Sequence, residues 1–280
     1  MTKEVLKTDG GRLTLYWDAP EWDGVPTVAI GDIAFRSRAD GKQILQQAID
    51  MAGEKGFDRM VGPMSGDTWH SYRFVSESDG SPAFLMEPKE MPEARAAFHA
   101  AGFSVIGRYF SARQSLEDIG ASPPESEGFR IEAWDGADPE NLFRQVFHVS
   151  SQAFENNAFY KPITVEQFLT MYMPIVPMLK KELIVFARTP EGELAGFLFA
   201  IPDYAHGPES ETVILKTYAS LVRGAGRALV HACQTAAKSL GYKHLIHGLI
   251  HDANQSAERS EQEGGKIFRR YELLGLELND

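Results

Sequence analysis

From residue 129 onward the apolar positions change period several times, and each change marks an element. Phe129 to Trp134 reads as a strand, and Pro139 to Phe154 repeats Leu142, Val146, Phe147 and Val149 at helical spacing. Thr164, whose hydroxyl can cap a free amide, precedes Val165, Phe168, Leu169 and Tyr172 and predicts a second helix. Leu183 to Arg188 and Leu194 to Ile201 flank Thr189-Pro190-Glu191-Gly192, which predicts a hairpin, and Thr212 to Ala219 is a third strand. A glycine-containing turn follows, then a helix from about Gly224 to Leu240, a strand over Lys243 to Ile250, and a charged helix ending near Leu274.

The first part of the chain repeats this plan. Gly41 aligns with Gly226 and Gly56 with Gly241 at one offset of 185 residues, which also places Arg38 opposite Arg223 and Ala52 opposite Ala237. An amphipathic helix lies between each pair of glycines, followed by Phe57, Met60 and Val61 in one copy and Tyr242, Leu245 and Ile246 in the other. Further on, Phe98 to Phe103 echoes Tyr271 to Leu276. Ser111 to Gly128, rich in Ser, Pro, Gly and acid, lacks either apolar period and reads as a linker. The expected organisation is a half over 1–112, a linker over 113–128 and a second half over 129–280. Each half is α/β, with a mixed, mostly antiparallel sheet flanked by helices.

An apolar content of 43% with 11% aromatics fills packed cores. The chain has no signal-peptide core and no run near the ~18 apolar residues of a membrane span, so the expectation is a soluble, cytoplasmic protein. A formal charge of -11 opposes binding to nucleic acid and anionic membranes. Cys233, the single cysteine, excludes an internal disulfide and sits at helical spacing among apolar residues, as a buried small side chain does.

The chemistry concentrates at Thr212 to Leu229, a strand, a glycine turn and a helix. Gly224 and Gly226 let a ligand approach the backbone, and the amides of the first helical turn carry the positive end of the helix dipole. That arrangement binds phosphate, although glycine before a helix is also common in purely structural turns.

The order strand, Arg223-Gly-Ala-Gly226 turn, helix, strand and Tyr271-x-x-x-Gly275 resembles the coenzyme A-binding half of the GCN5-related N-acetyltransferase (GNAT) superfamily, in its tandem form with a degenerate first half. Gly196, Lys216, Gly241 and Asn254 also sit where that pattern suggests, and Arg36-Ser-Arg-Ala-Asp-Gly41 is a looser match in the first half. The resemblance implies an N-acyltransferase that moves an acyl group from acetyl- or another acyl-coenzyme A to an amine of a small molecule or peptide by direct attack. Pantetheine would lie along Tyr218, Ala219 and Ser220, with pyrophosphate on amides of Val222, Arg223, Gly224, Ala225, Gly226, Arg227 and Ala228. Asn254 would touch the coenzyme, Tyr271 would protonate its thiolate, and Glu211 or Asp203 would be the base. Lys216 and Arg227 would assist phosphate binding. Two alternatives remain at this stage: a non-catalytic acyl-coenzyme A sensor, favoured by Leu221 in place of the motif's Gln or Arg, and an aminoacyl transferase, which the net charge opposes.

Three further signals come from the residues themselves. Trp69, His70, Tyr72 and Arg73 are rich in hydrogen-bonding groups and are candidates to line an acceptor pocket between the halves, or else pack as a core strand. His244 and His247 fall on opposite faces of a strand and cannot share a metal, so no metal is expected. Arg269-Arg270 reads as a solvated helix face or a contact with the coenzyme's 3′-phosphate.

Overall fold

The apolar runs assemble into one mixed sheet. The computed structural model describes residues 2–117, 119, 128–254, 257, 260–261 and 264–278. In chain order the elements are β1 (Lys3–Thr8), β2 (Gly11–Tyr16), β3 (Thr27–Phe35), α1 (Arg38–Glu54), β4 (Arg59–Gly62), β5 (Phe74–Ser78), α2 (Pro92–Ala100) and β6 (Ser104–Ser115). The second half follows with β7 (Arg130–Ala133), α3 (Pro139–Phe154), α4 (Val165–Tyr172), β8 (Ile184–Arg188), β9 (Leu194–Pro202), β10 (Thr212–Ser220), α5 (Ala225–Ser239), β11 (His244–His251) and β12 (Lys266–Glu277). Strand order is β1-β2-β3-β4-β12-β6-β11-β10-β9-β8-β7, with β5 paired to β12 beside this path. Only β3·β4 and β10·β11 are parallel among these pairs.

The duplication is visible in the register. Thr27 pairs with Arg59 in β3·β4, and Thr212 with His244 in β10·β11, each residue 185 positions after its counterpart. The period-two alternation of β9 divides the second half's core. Leu198 and Ala200 pack with Val213, Leu229 and Cys233 toward α5, whereas Phe197 and Phe199 pack with Phe143, Val146 and Phe168 toward α3 and α4. Thr164 caps α4 in a capping box with Gln167. Cys233 is fully buried, and burial pushes its thiol up to about 12, so it is a packing residue.

The last predicted helix is instead the strand β12, and this changes how the halves relate. Good helix formers over Lys266–Glu277 suggest a helix, but both faces of this strand are covered and Arg269 and Tyr271 are buried, so tertiary packing overrides local propensity. β12 pairs with β4 and β5 of the first half, while β6, the last strand of that half, pairs with β11 of the second. The two exchanged strands also pair with each other. β6 runs to Ser115, past the boundary expected at residue 112, and residues 118 and 120–127 of the expected linker lie outside the described residues. Phe98, on α2, is thus not the counterpart of Tyr271; by position in the sheet β6 answers β12. Among the described residues no helix is long and apolar enough to cross a membrane.

Candidate active site

β10 and β11 pair in parallel as far as Leu215 and His247 and then part. Each carries an irregularity at that place, β10 against β9 between Leu215 and Thr217 and β11 against β6 between His247 and Ile250. Their separation opens a cavity of about 510 Å³ between the halves. β10 lines it with Leu215 to Tyr218, β11 with His247 to His251, and the first half with the segment Thr68–Arg73.

The same place in the first half is shut. Met64 N–H donates to Ile30 O at 2.7 Å, bridging β3 to the chain beyond β4, and a Cβ at Gly31 would lie 2.6 Å from Met64 O. Asp32, exposed next to it, accepts from Tyr16 Oη at 2.6 Å and Ser65 Oγ at 3.2 Å. The anion-binding end of α1 is also taken: Arg38 N–H donates to the Glu93 carboxylate at 3.0 Å, and Ser37 Oγ accepts from Asp40 N. Gly41 is packed against Phe35 and Ala97.

In the second half the turn is open. Gly224 caps α5 at φ 87, a left-handed conformation that favours glycine. Ser220 Oγ holds the turn from inside, accepting from Val222 N at 3.3 Å and donating to Val222 O at 2.6 Å. Val222, Ala225, Arg227 and Ala228 amides are therefore engaged, whereas those of Arg223, Gly224 and Gly226 have no backbone partner among the described residues. Arg223 and Arg227 are exposed beside them, and Ala219 is buried. Tyr218 and Asn254 line the cavity, so the fold joins two expected coenzyme contacts that lie 36 residues apart in sequence. These groups fit a coenzyme with a phosphate at the turn.

The three expected catalytic side chains lie elsewhere. Tyr271 donates to Glu87 Oε1 and lies 3.0 Å from Ser111 Oγ; it does not line the cavity, and burial with the Glu87 bond holds its phenol protonated. Arg269, expected on a solvated helix face, is buried and ion-paired with Glu87 at 3.0 Å. Asp203 is buried, accepting from Leu85 N at 2.8 Å and bound to His206 Nδ1 at 2.8 Å. Glu211 pairs with Lys243 at 2.5 Å on the surface. Neither carboxylate lines the cavity.

All four expected acceptor-pocket residues do line it. Trp69 packs against Tyr160 and Phe168 and donates Nε1–H to Lys161 O at 2.9 Å, pinning this first-half segment to the second half. His70 Nδ1 lies 2.6 Å from Oδ1 of Asp67, a buried carboxylate that also accepts from Trp69 N at 3.0 Å. Donation from Nδ1–H leaves the His70 Nε2 lone pair as acceptor. In sequence His70 stands out only as a wall residue, and the Asp67-x-x-His70 spacing is the one signal of its further role. Arg73 stacks on the rings of Tyr72 and Tyr109, at 3.7 and 4.1 Å. His247, buried, has its pKa lowered to about 4, and Burial acts likewise on His251.

No family model matches the sequence, and no curated protein matches it. Solved structures do match in fold. A GCN5-related N-acetyltransferase from Sphaerobacter thermophilus is similar at 12% identity and a TM-score of 0.60, over 97% of this chain and 78% of that one. A tandem GNAT protein from the clavulanic acid biosynthesis pathway is similar at 14% identity and 0.57, over 99% and 83%. A GCN5-related N-acetyltransferase from Anabaena variabilis is similar at 10% identity and 0.56, over 96% and 60%. The protein has the tandem GNAT fold.

Proposed function

We propose that the protein is an N-acyltransferase that uses acyl-coenzyme A, with the coenzyme in the second half and the acceptor amine in the cavity between the halves. The observation that carries this reading is the contrast between two equivalent places: the parting of β10 and β11 beside a left-handed Gly224 turn, against a first half closed by Met64 and Glu93. The amides of Arg223, Gly224 and Gly226 would hold a phosphate. When bound, acyl-coenzyme A supplies an acyl carbon that gains a bond to the acceptor nitrogen as its bond to sulfur breaks.

His70 is the proposed base. Its Nε2 takes the proton that the acceptor nitrogen must lose, and Asp67 orients the ring and stabilises the imidazolium that results. Tyr218, on β10 and in the cavity wall, replaces Tyr271 as the proposed donor to the departing sulfur. Calorimetric titration with acetyl-coenzyme A tests the reading. Gly226→Val should abolish binding by forcing a side chain into the buried first turn of α5 and displacing its amides, whereas Glu93→Gln should leave it unchanged. Binding that persists in Gly226→Val would place the coenzyme elsewhere, and binding without turnover of any amine would favour a sensor.

A further inference from the structure

The cavity is basic in an acidic protein. Its described lining holds two cationic side chains, Arg73 and Lys216, and no carboxylate, although the chain carries a formal charge of -11. Arg73 is 5% exposed and donates Nη1–H to Leu249 O at 3.0 Å, yet its Nε is buried with no hydrogen-bond partner among the described residues. Nor does any described carboxylate lie within 4.0 Å of its guanidinium. A buried charge normally comes with a counter-ion, because desolvation is otherwise uncompensated. The backbone reinforces the placement: Arg73 is held at φ 74, an unfavourable conformation for a non-glycine residue, by donation from its N–H to Pro63 O at 2.9 Å.

Lys216 brings a second cation to the same space. It stands at the β10 irregularity in the cavity wall, its side chain accessible from the cavity, and makes no ion pair among the described residues. Desolvation in the cavity wall, and next the charge of Arg73, lower its pKa. In the first half the equivalent position is Gly31, packed on Met64 and Ser65, so this cation belongs to the open half alone. The anion is distinct from the coenzyme's pyrophosphate. Lys216, expected from the sequence to assist phosphate binding, instead lies four residues before Ser220, roughly 13 Å along an extended strand from the turn that would hold phosphate.

Resting on the acyl-transfer reading, we infer that the acceptor is a small amine that also carries a free carboxylate, which Arg73 and Lys216 hold while the amine faces His70. A cavity of about 510 Å³ suits an amino-acid-like molecule. The aromatic walls from Tyr72, Tyr109 and Phe168 accommodate an apolar portion.

The test is calorimetric titration of the full chain, with and without desulfo-coenzyme A, using glycine and glycinamide, and phenylalanine and phenylalaninamide. Each acid is expected to bind about tenfold or more tightly than its amide. Arg73→Gln and, independently, Lys216→Met should erase that preference while leaving desulfo-coenzyme A affinity within about twofold. Equal affinity for acid and amide, absence of binding by all four probes with coenzyme binding intact, or loss of coenzyme affinity in both variants would overturn the inference. A carboxylate preference that survives without any coenzyme binding supports the carboxylate site and overturns only the acyl-transfer reading.

Discussion

Tyr109 and Tyr271 stand directly opposite each other in the β6·β12 ladder, one from each exchanged strand, and pack in one buried cluster while their hydroxyls serve different ends. Tyr109 lines the cavity and stacks on Arg73, whereas Tyr271, beside it, does not line the cavity and donates to Glu87. The ladder that joins them also joins the halves. Residues 129–280 expressed alone would leave β11 and β12 without β6, so an insoluble or aggregated fragment is expected. Co-expression with residues 1–117 should recover soluble protein, as measured by gel filtration.

Tyr271→Phe separates structure from chemistry. Removing the hydroxyl leaves the buried Glu87 carboxylate short of a donor, at a cost of about 1–3 kcal/mol by denaturant unfolding. Acetyl-coenzyme A affinity and turnover should remain near wild type, since the hydroxyl does not reach the cavity. A turnover loss without a stability loss would restore Tyr271 as the acid.

His70→Ala should lower kcat by about 10²-fold with little change in coenzyme affinity, as expected for a positioned base. Asp67→Asn should reproduce part of that loss, because the ring keeps a partner but the imidazolium loses its counter-charge. If His70→Ala turns over at the wild-type rate under conditions where chemistry is limiting, the proton leaves by another route.

His247 makes stability depend on pH. It lies against Gln114 Oε1 at 3.1 Å, which also accepts from Gln234 Nε2 at 2.9 Å, and burial lowers its pKa from 6.5 to about 4. An unfolded chain therefore takes this proton first as pH falls. The contribution is fully present above about pH 6.5 and is lost as pH drops toward 4, on the order of 3 kcal/mol as an upper bound. Urea midpoints at pH 7.5 and pH 5 should fall less for His247→Gln than for wild type, and identical falls would refute the linkage.

Local pattern carried the elements whose register is local. The hairpin β8·β9, the capped α4 and the turn into α5 follow from residues a few positions apart, and the 185-residue offset reproduced both parallel registers. What the pattern missed was settled by distant partners. Arg269 reads as a solvated helix face and Tyr271 as a donor to the thiolate because nothing nearby in sequence shows that Glu87 waits for them inside. Proximity to β10 in sequence points to Asp203 and Glu211, yet the cavity opens toward the other end of that strand, beyond Leu215. The walls at Trp69 to Arg73 were recognisable because their density of polar aromatics is a composition signal that needs no register.

The reciprocal placement of β6 and β12 makes the chain a covalently tied counterpart of a strand-swapped homodimer. Two separate copies of a β3-to-β6 unit could complete one another in this way only by meeting in solution, at whatever concentration the cell maintains. Joined in one chain, they meet at an effective concentration set by the tether, in the millimolar range for short flexible connections. Once partnership is guaranteed, the two copies are free to diverge: one can fill its cleft with its own side chains and become the wall against which the other works.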